Sequence, residues 1–230
     1  MVDIHCHLLP GIDDGPKSWE RTLEMCEKAV ADGITHIVAT PHCNHKYPYD
    51  RIASQAKLDE LRSRFTQCEF SLGCEFNMSE QNLSEARISP GTFTINQSRY
   101  VLVEISDSRL PQQTENALSE LISLGLVPIL AHPERLPLFQ GRVSLLEEWV
   151  SFGCLTAITS SALTGFWGRE AKKLSETLLK KDLVNVLVSD AHDAEKRPPL
   201  LEGGRRAAAK IVGEKNATDL VSRNPLAIVS

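Results

Sequence analysis

The chain has 230 residues, 42% of them hydrophobic and 24% charged, with a formal net charge of −5. That length can bury a sizeable core in one α/β domain, here read as residues 1–230. No basic stripe marks a nucleic-acid footprint, and no apolar run reaches membrane-spanning length.

The elements read in chain order as alternating strands and helices. VDIHCH is the first strand. Pro16 and Ser18 open a helix whose apolar residues Trp19, Leu23, Cys26 and Val30 recur at helical spacing, and Gly33 ends it. THIVATPH is the second strand, followed by a helix over 50–66 with Ile52, Leu58, Leu61 and Phe65 as its stripe. EFSLGCEF, YVLVEI and VPILAH are the third, fourth and fifth strands, and TENALSELISLG is a helix between the last two. LLEEWVSFG is a short helix and CLTAITSS the sixth strand. A helix over 168–181 precedes LVNVLVSDAH, the seventh strand, and the tail is helical to NPLAIV.

This alternation implies parallel strands with helical crossovers. His7, His42, Glu75, Glu104, His132 and Asp190 fall at or near the C-terminal end of an expected strand. They are spaced by 35, 33, 29, 28 and 58 residues, the last gap spanning two units. Polar residues at one end of nearly every strand predict a distorted seven-stranded (β/α)7 barrel with its site at that end. An open parallel sheet, the alternative, would gather them at one switch point.

The six cysteines form no C-x-x-C pair, and none has an arginine six residues later. Neither a thiolate zinc site nor a cysteine nucleophile of the Cys-x5-Arg type is expected. The N-terminus shows no charged segment leading into an apolar one, so the expected location is cytoplasmic, with reduced thiols.

Side chains alternate along a strand, so His5 and His7 share a face and Cys6 points away. The same parity pairs Asp190 with His192. Together with Asp14, His42, Glu75, Glu104 and His132 they make nine nitrogen or oxygen donors. Buried together, they carry uncompensated charge unless a cation joins them. Nine ligands exceed one ion's needs and fit two or three ions sharing a bridge. The donor types suit manganese, iron or zinc. The residual positive charge suits a phosphate dianion. Arg135 and Arg197, in loops at the same end, are the candidates for bidentate phosphate contacts. Asp13 reads as a turn former or a partner to a ligand. His36 reads as structural, and His45 as a loop residue near the site. Tyr47, Tyr49, Phe166 and Trp167 lie in loops that could line a slot for a phenyl ring.

The stretches DIHCHLLPGIDDGPKS, ATPHCN, GCEF, SRYVLVEI, AHPER and SDAHDAEKRPP resemble the polymerase-and-histidinol-phosphatase (PHP) superfamily. Within it, the chain is most similar to manganese-dependent bacterial protein-tyrosine phosphatases of capsule and exopolysaccharide operons. The resemblance runs from residue 2 to the terminal NPLAIV. It implies a seven-stranded PHP barrel and three divalent metal ions, manganese first, with iron or zinc as alternatives. It implies one ion on His5, His7, Glu75 and Asp190, a second on Glu75, Glu104 and His132, and a third on Asp14, His42 and His192. Arg135 and Arg197 match the family's phosphate-contacting arginines. The implied reaction is phosphomonoester hydrolysis by a metal-activated hydroxide. The implied partner is a phosphotyrosine protein, a tyrosine autokinase tail, with no nucleic acid and no membrane insertion. Two alternatives share the ligands: a phosphoesterase acting on a small molecule such as histidinol phosphate, and a non-catalytic metal-binding scaffold. An amidohydrolase-type barrel also begins with HxH, but places a bridging lysine after its fourth strand, where this chain has Glu104. The segment ISDSRLPQQ after Glu104 departs from the apolar loop expected there.

Overall fold

The structure, a computed structural model, describes residues 1–105 and 110–230. Part of the ISDSRLPQQ loop therefore lies outside the described residues. Among the described residues, nine strands form two parallel sheets. One has the order β1 (Val2–Cys6), β2 (His36–Ala39), β4 (Glu69–Leu72). The other runs β3 (His42–Cys43), β5 (Glu75–Asn77), β6 (Tyr100–Glu104), β7 (Val127–Ala131), β8 (Leu155–Thr159), β9 (Val186–Val188).

Two of the expected strands are thus each split. THIVATPH breaks at Pro41, which has no N–H to give to a ladder; EFSLGCEF breaks at Gly73 and Cys74. Hydrogen bonds nevertheless cross the breaks. Gly73 N–H donates to the Ala39 carbonyl and Glu75 N–H to the Pro41 carbonyl, both at 2.9 Å. At the far side, β9 lies against β1. Asp190 N–H donates to the His5 carbonyl at 2.9 Å, His7 N–H to the Ala191 carbonyl at 2.8 Å, and Cys6 and Ala191 form an isolated parallel bridge. The buried Asp3 carboxylate reinforces this contact, accepting from both the backbone N–H and the hydroxyl of Ser189.

Helix α1 (Trp19–Ala31) follows Ser18 and buries Met25, Cys26 and Ala29. Helix α2 (Arg51–Arg64) is capped by Asp50, whose side chain accepts from Ala53 N–H. Of its expected stripe, Leu58, Leu61 and Phe65 are buried, but Ile52 is 85% exposed. A helix not expected from the pattern, α3 (Glu80–Ile88), buries only Asn82, Leu83 and Ala86. Helix α4 (Pro111–Ser123) begins at a proline, which suits a first turn where the N–H has no partner anyway. Then come α5 (Val143–Ser151), α6 (Ser160–Leu163) and α7 (Gly168–Lys180). The tail forms α8 (Glu202–Val212), α9 (Glu214–Asp219) and α10 (Arg223–Val229).

Two apolar clusters fill the molecule. The larger includes Met25, Leu58, Leu118, Trp149 and Leu178 from the helices. The smaller joins residues of both sheets, among them Ile4, Val38, Leu102, Ile129 and Val186, with Ile228 and Val229 of α10. The two sheets therefore share one interior. Each fully buried aliphatic side chain here contributes about 1.5–3 kcal/mol. Ile4 and Cys6 would share a face in a regular strand, yet they fall in different clusters. The pairing of β1 with β2 shifts register between Asp3 and Cys6, which separates them.

Candidate metal centre

All nine expected ligands come to one end of the strands. His5 and His7 leave β1, His42 opens β3, Glu75 opens β5 and Glu104 closes β6. His132 follows β7, and Asp190 and His192 follow β9. His132 and Asp190 have left-handed backbones, with φ of 39° and 52°. Such non-glycine residues are uncommon and concentrate at functional sites. Asp14 comes from the PGIDDG turn, which closes tightly on β1: a Cβ at Gly15 would sit 2.6 Å from the His7 carbonyl oxygen.

Glu75 is the hub. It is buried, and its oxygens lie 2.8 Å from His132 Nε2, 2.9 Å from His42 Nδ1, 3.3 Å from His7 Nε2 and 3.4 Å from His5 Nε2. Asp190 Oδ1 lies 3.3 Å from His5 Nε2 and 3.5 Å from His7 Nε2. Asp14 Oδ1 lies 3.3 Å from His192 Nε2 and 3.4 Å from His42 Nε2. Donor atoms within 4.8 Å of one another form four groups: His7, Asp14, His42 and His192; His5, His7 and Glu75; His5, His132 and Asp190; His42, Glu75 and Glu104. Every one of the nine residues belongs to at least one group. The grouping differs from the implied ligand sets: His7 also joins Asp14, His42 and His192, and Asp190 is apart from His7 and Glu75. Glu104 and Glu75 sit with His42, while His132 sits with His5 and Asp190.

The contacts are not those of a satisfied hydrogen-bond network. His42 Nδ1 and Glu75 Oε2 face each other at 2.9 Å, yet both are buried without a hydrogen-bond partner. His5 Nδ1 and His132 Nδ1 are likewise buried and unpartnered. Buried polar atoms left this way are costly. Electron-pair donors converging with several of their atoms unpartnered are what a cation's surroundings require, and an all-nitrogen-and-oxygen set fits a hard or borderline divalent ion.

Charge in the cluster points the same way. Burial works against ionised Glu75, but His5, His132 and His42 outweigh it and hold the carboxyl well below its usual range. Burial also opposes charge on Asp190, and His5, His7 and Arg135 overcome it. Burial disfavours a charged His42, yet the Asp14 and Glu75 carboxylates beside it push its pKa up to about 10. Glu104 moves the other way, raised by burial and by its neighbour Glu75. Two carboxylates in one buried group need positive charge between them.

Residues around the cluster complete the site. Asp13 Oδ2 accepts from His7 Nδ1 at 2.7 Å and from His42 N–H at 3.0 Å, so it orients the His7 ring and does not join the groups. Arg135 Nη1 and Arg197 Nη2 each reach Asp190 Oδ2 at 2.6 Å. Tyr47 stacks on His42, with centroids 5.8 Å apart and planes at 12°. Tyr49 turns away, donating to the Gly73 carbonyl at 3.2 Å. His45 is exposed and outside the groups, and His36 lies at the other end of the strands. Cys6 is fully buried in the larger apolar cluster and belongs to none of the donor groups. The contact of Trp167 with both arginines, at 4.5 and 5.4 Å, carried no local sequence signal.

Comparison with known proteins places this arrangement. The chain is 37% identical to CapC of Staphylococcus aureus, over 88% of this chain and 81% of the relative. It is 33% identical to the tyrosine-protein phosphatase YwqE of Bacillus subtilis (strain 168), over 86% of this chain and 79% of the relative. A crystal structure from the work on YwqE and Streptococcus pneumoniae CpsB, described as metal-dependent tyrosine phosphatases, superposes with a TM-score of 0.89. It is 30% identical, covering 100% of this chain and 94% of that one. A D-hydantoinase shares the fold alone, with a TM-score of 0.60 at 11% identity over 97% of this chain and 69% of that chain. The model of the capsular polysaccharide synthesis family CpsB/CapC matches residues 1–230, and the chain belongs to that family.

Proposed function

We propose that this chain is a metal-dependent protein-tyrosine phosphatase of capsule and exopolysaccharide synthesis, whose nine clustered side chains hold three divalent ions, manganese first. The observation that carries the reading is the convergence of buried donors, several without hydrogen-bond partners, beside two arginines. His5, His7, Glu75 and Asp190 would hold one ion, Glu75, Glu104 and His132 another, and Asp14, His42 and His192 the last. The reach of Glu75 to four imidazoles supports it as the bridge. When bound, such ions supply Lewis acidity and an activated water for hydrolysis.

The chain's own residues do the rest. Asp13 holds the His7 ring with Nε2 turned into the cluster. Arg135 and Arg197 bind the phosphoryl oxygens and stabilise the charge that develops on them. A tyrosine phenolate, with a pKa near 10, leaves more readily than an alkoxide. The substrate is a phosphotyrosine segment of another protein, a tyrosine autokinase tail. Six buried, unbridged cysteines support a cytoplasmic location.

The fold reading extends in the same way. We read the two sheets as one distorted seven-stranded ring in a single domain. Bonds crossing the breaks at Pro41 and Gly73, the Cys6–Ala191 bridge and the shared interior support it. The test of function is phosphate release from a phosphotyrosine peptide with Mn²⁺ added, beside a phosphoserine peptide and histidinol phosphate. The phosphotyrosine peptide turns over fastest, and chelation or the double variant His5→Ala/Asp190→Ala abolishes turnover. Activity that survives either contradicts the reading.

A further inference from the structure

We propose that Trp167 is a positioning residue: its indole face holds the Arg135 and Arg197 guanidinium groups together, ready to receive a phosphoryl group. The inference rests on the reading above that these arginines take phosphate.

The two guanidinium carbons lie 4.5 and 5.4 Å from the Trp167 ring centroid. Both groups also reach one atom, Asp190 Oδ2, at 2.6 Å. Two cations converging on one carboxylate oxygen repel each other. That carboxylate is further shared with His5 and His7 through Oδ1. The electron-rich face of the indole supplies a second attractive surface on which like charges can lie together. The arginines are only 17% and 26% exposed, and partial desolvation strengthens such contacts.

The ring is itself held. Its Nε1–H donates to Ser161 Oγ at 3.0 Å, and Phe166 meets it edge-on at 5.1 Å and 87°. Fixing two long, rotamer-rich side chains before substrate arrives removes an ordering cost from binding. The face turned to the arginines is also not free to stack on a substrate ring. Trp167 therefore acts on the phosphoryl end of any substrate, and not on tyrosine in particular.

Inhibition by inorganic phosphate, which has no ring, separates these roles. It is measured on Mn²⁺-loaded protein, with metal content determined on each sample. Trp167→Leu raises the inhibition constant for phosphate roughly tenfold at unchanged metal content, while Trp167→Phe, which keeps an aromatic face, stays near wild type. Ser161→Ala, which frees the indole N–H, gives a smaller rise and serves if Trp167→Leu does not fold. The proposal is overturned if the constant is unchanged in Trp167→Leu or Ser161→Ala, or if Trp167→Phe is as impaired as Trp167→Leu. Arg135→Ala and Arg197→Ala are run beside them. An unchanged constant in both shows that the arginine assignment fails; a rise there without one in Trp167→Leu shows that only the positioning role fails.

Discussion

Asp13 and Asp14 are neighbours in the sequence with different partners. Asp14 lies among His7, His42 and His192, whereas Asp13 bonds the far nitrogen of His7. The glycine after them and the strand before them mark the turn, but two adjacent acids look alike on paper. Asp13→Ala leaves His7 Nδ1 and His42 N–H without their acceptor and weakens manganese binding by roughly 10–100-fold. A manganese titration followed by phosphatase activity measures this, and an unchanged midpoint would argue that His7 needs no such orientation. The convergence of the nine residues was legible because each is polar at a strand end or in the adjoining turn. The indole across Arg135 and Arg197 was not, because it joins three segments far apart in the chain.

Elements were legible where pattern and punctuation agreed. Ser18 and Gly33 bracket α1 because one precedes the helix and the other follows it with φ of 93°. The split of the second strand was less visible. Pro41 lacks an N–H, but its carbonyl still accepts from Glu75, so the break is partial. Helix α3 was missed because it buries little and its apolar stripe is short. At the opposite end of the strands, His36 opens β2 with Nε2 2.8 Å from Ser71 Oγ in β4. Burial lowers its pKa, and Glu69 opposes that only in part. The unfolded chain therefore takes up this proton before the folded one does. The stability His36 contributes is present above the unfolded value of about 6.5 and is lost as pH falls below it. In His36→Gln the melting temperature drops less than in the wild type between about pH 7.5 and pH 5.5. Equal drops would mean that the imidazole takes up its proton alike in the folded and unfolded chain.

At the scale of the molecule, the strands run through a shared apolar interior and gather charge at their C-terminal ends. Val186 and Val188 belong to the shared interior, and Asp190 lies two residues beyond. That division was legible from the regular spacing of polar residues along the chain. The sharing of donors was not: Glu75 contacts imidazoles from β1 and the turn after it, from β3, and from the turn after β7, a convergence set by strand order. It also makes the centre a junction between elements, so ligands that bind the folded form alone stabilise the whole chain. The central claim is that these nine side chains hold ions. Anomalous diffraction from crystals of the manganese-loaded protein tests it most directly. The account predicts three peaks among His5, His7, Asp14, His42, Glu75, Glu104, His132, Asp190 and His192, with Glu75 touching two of them. An absence of peaks there, with manganese bound elsewhere on the chain, would contradict it.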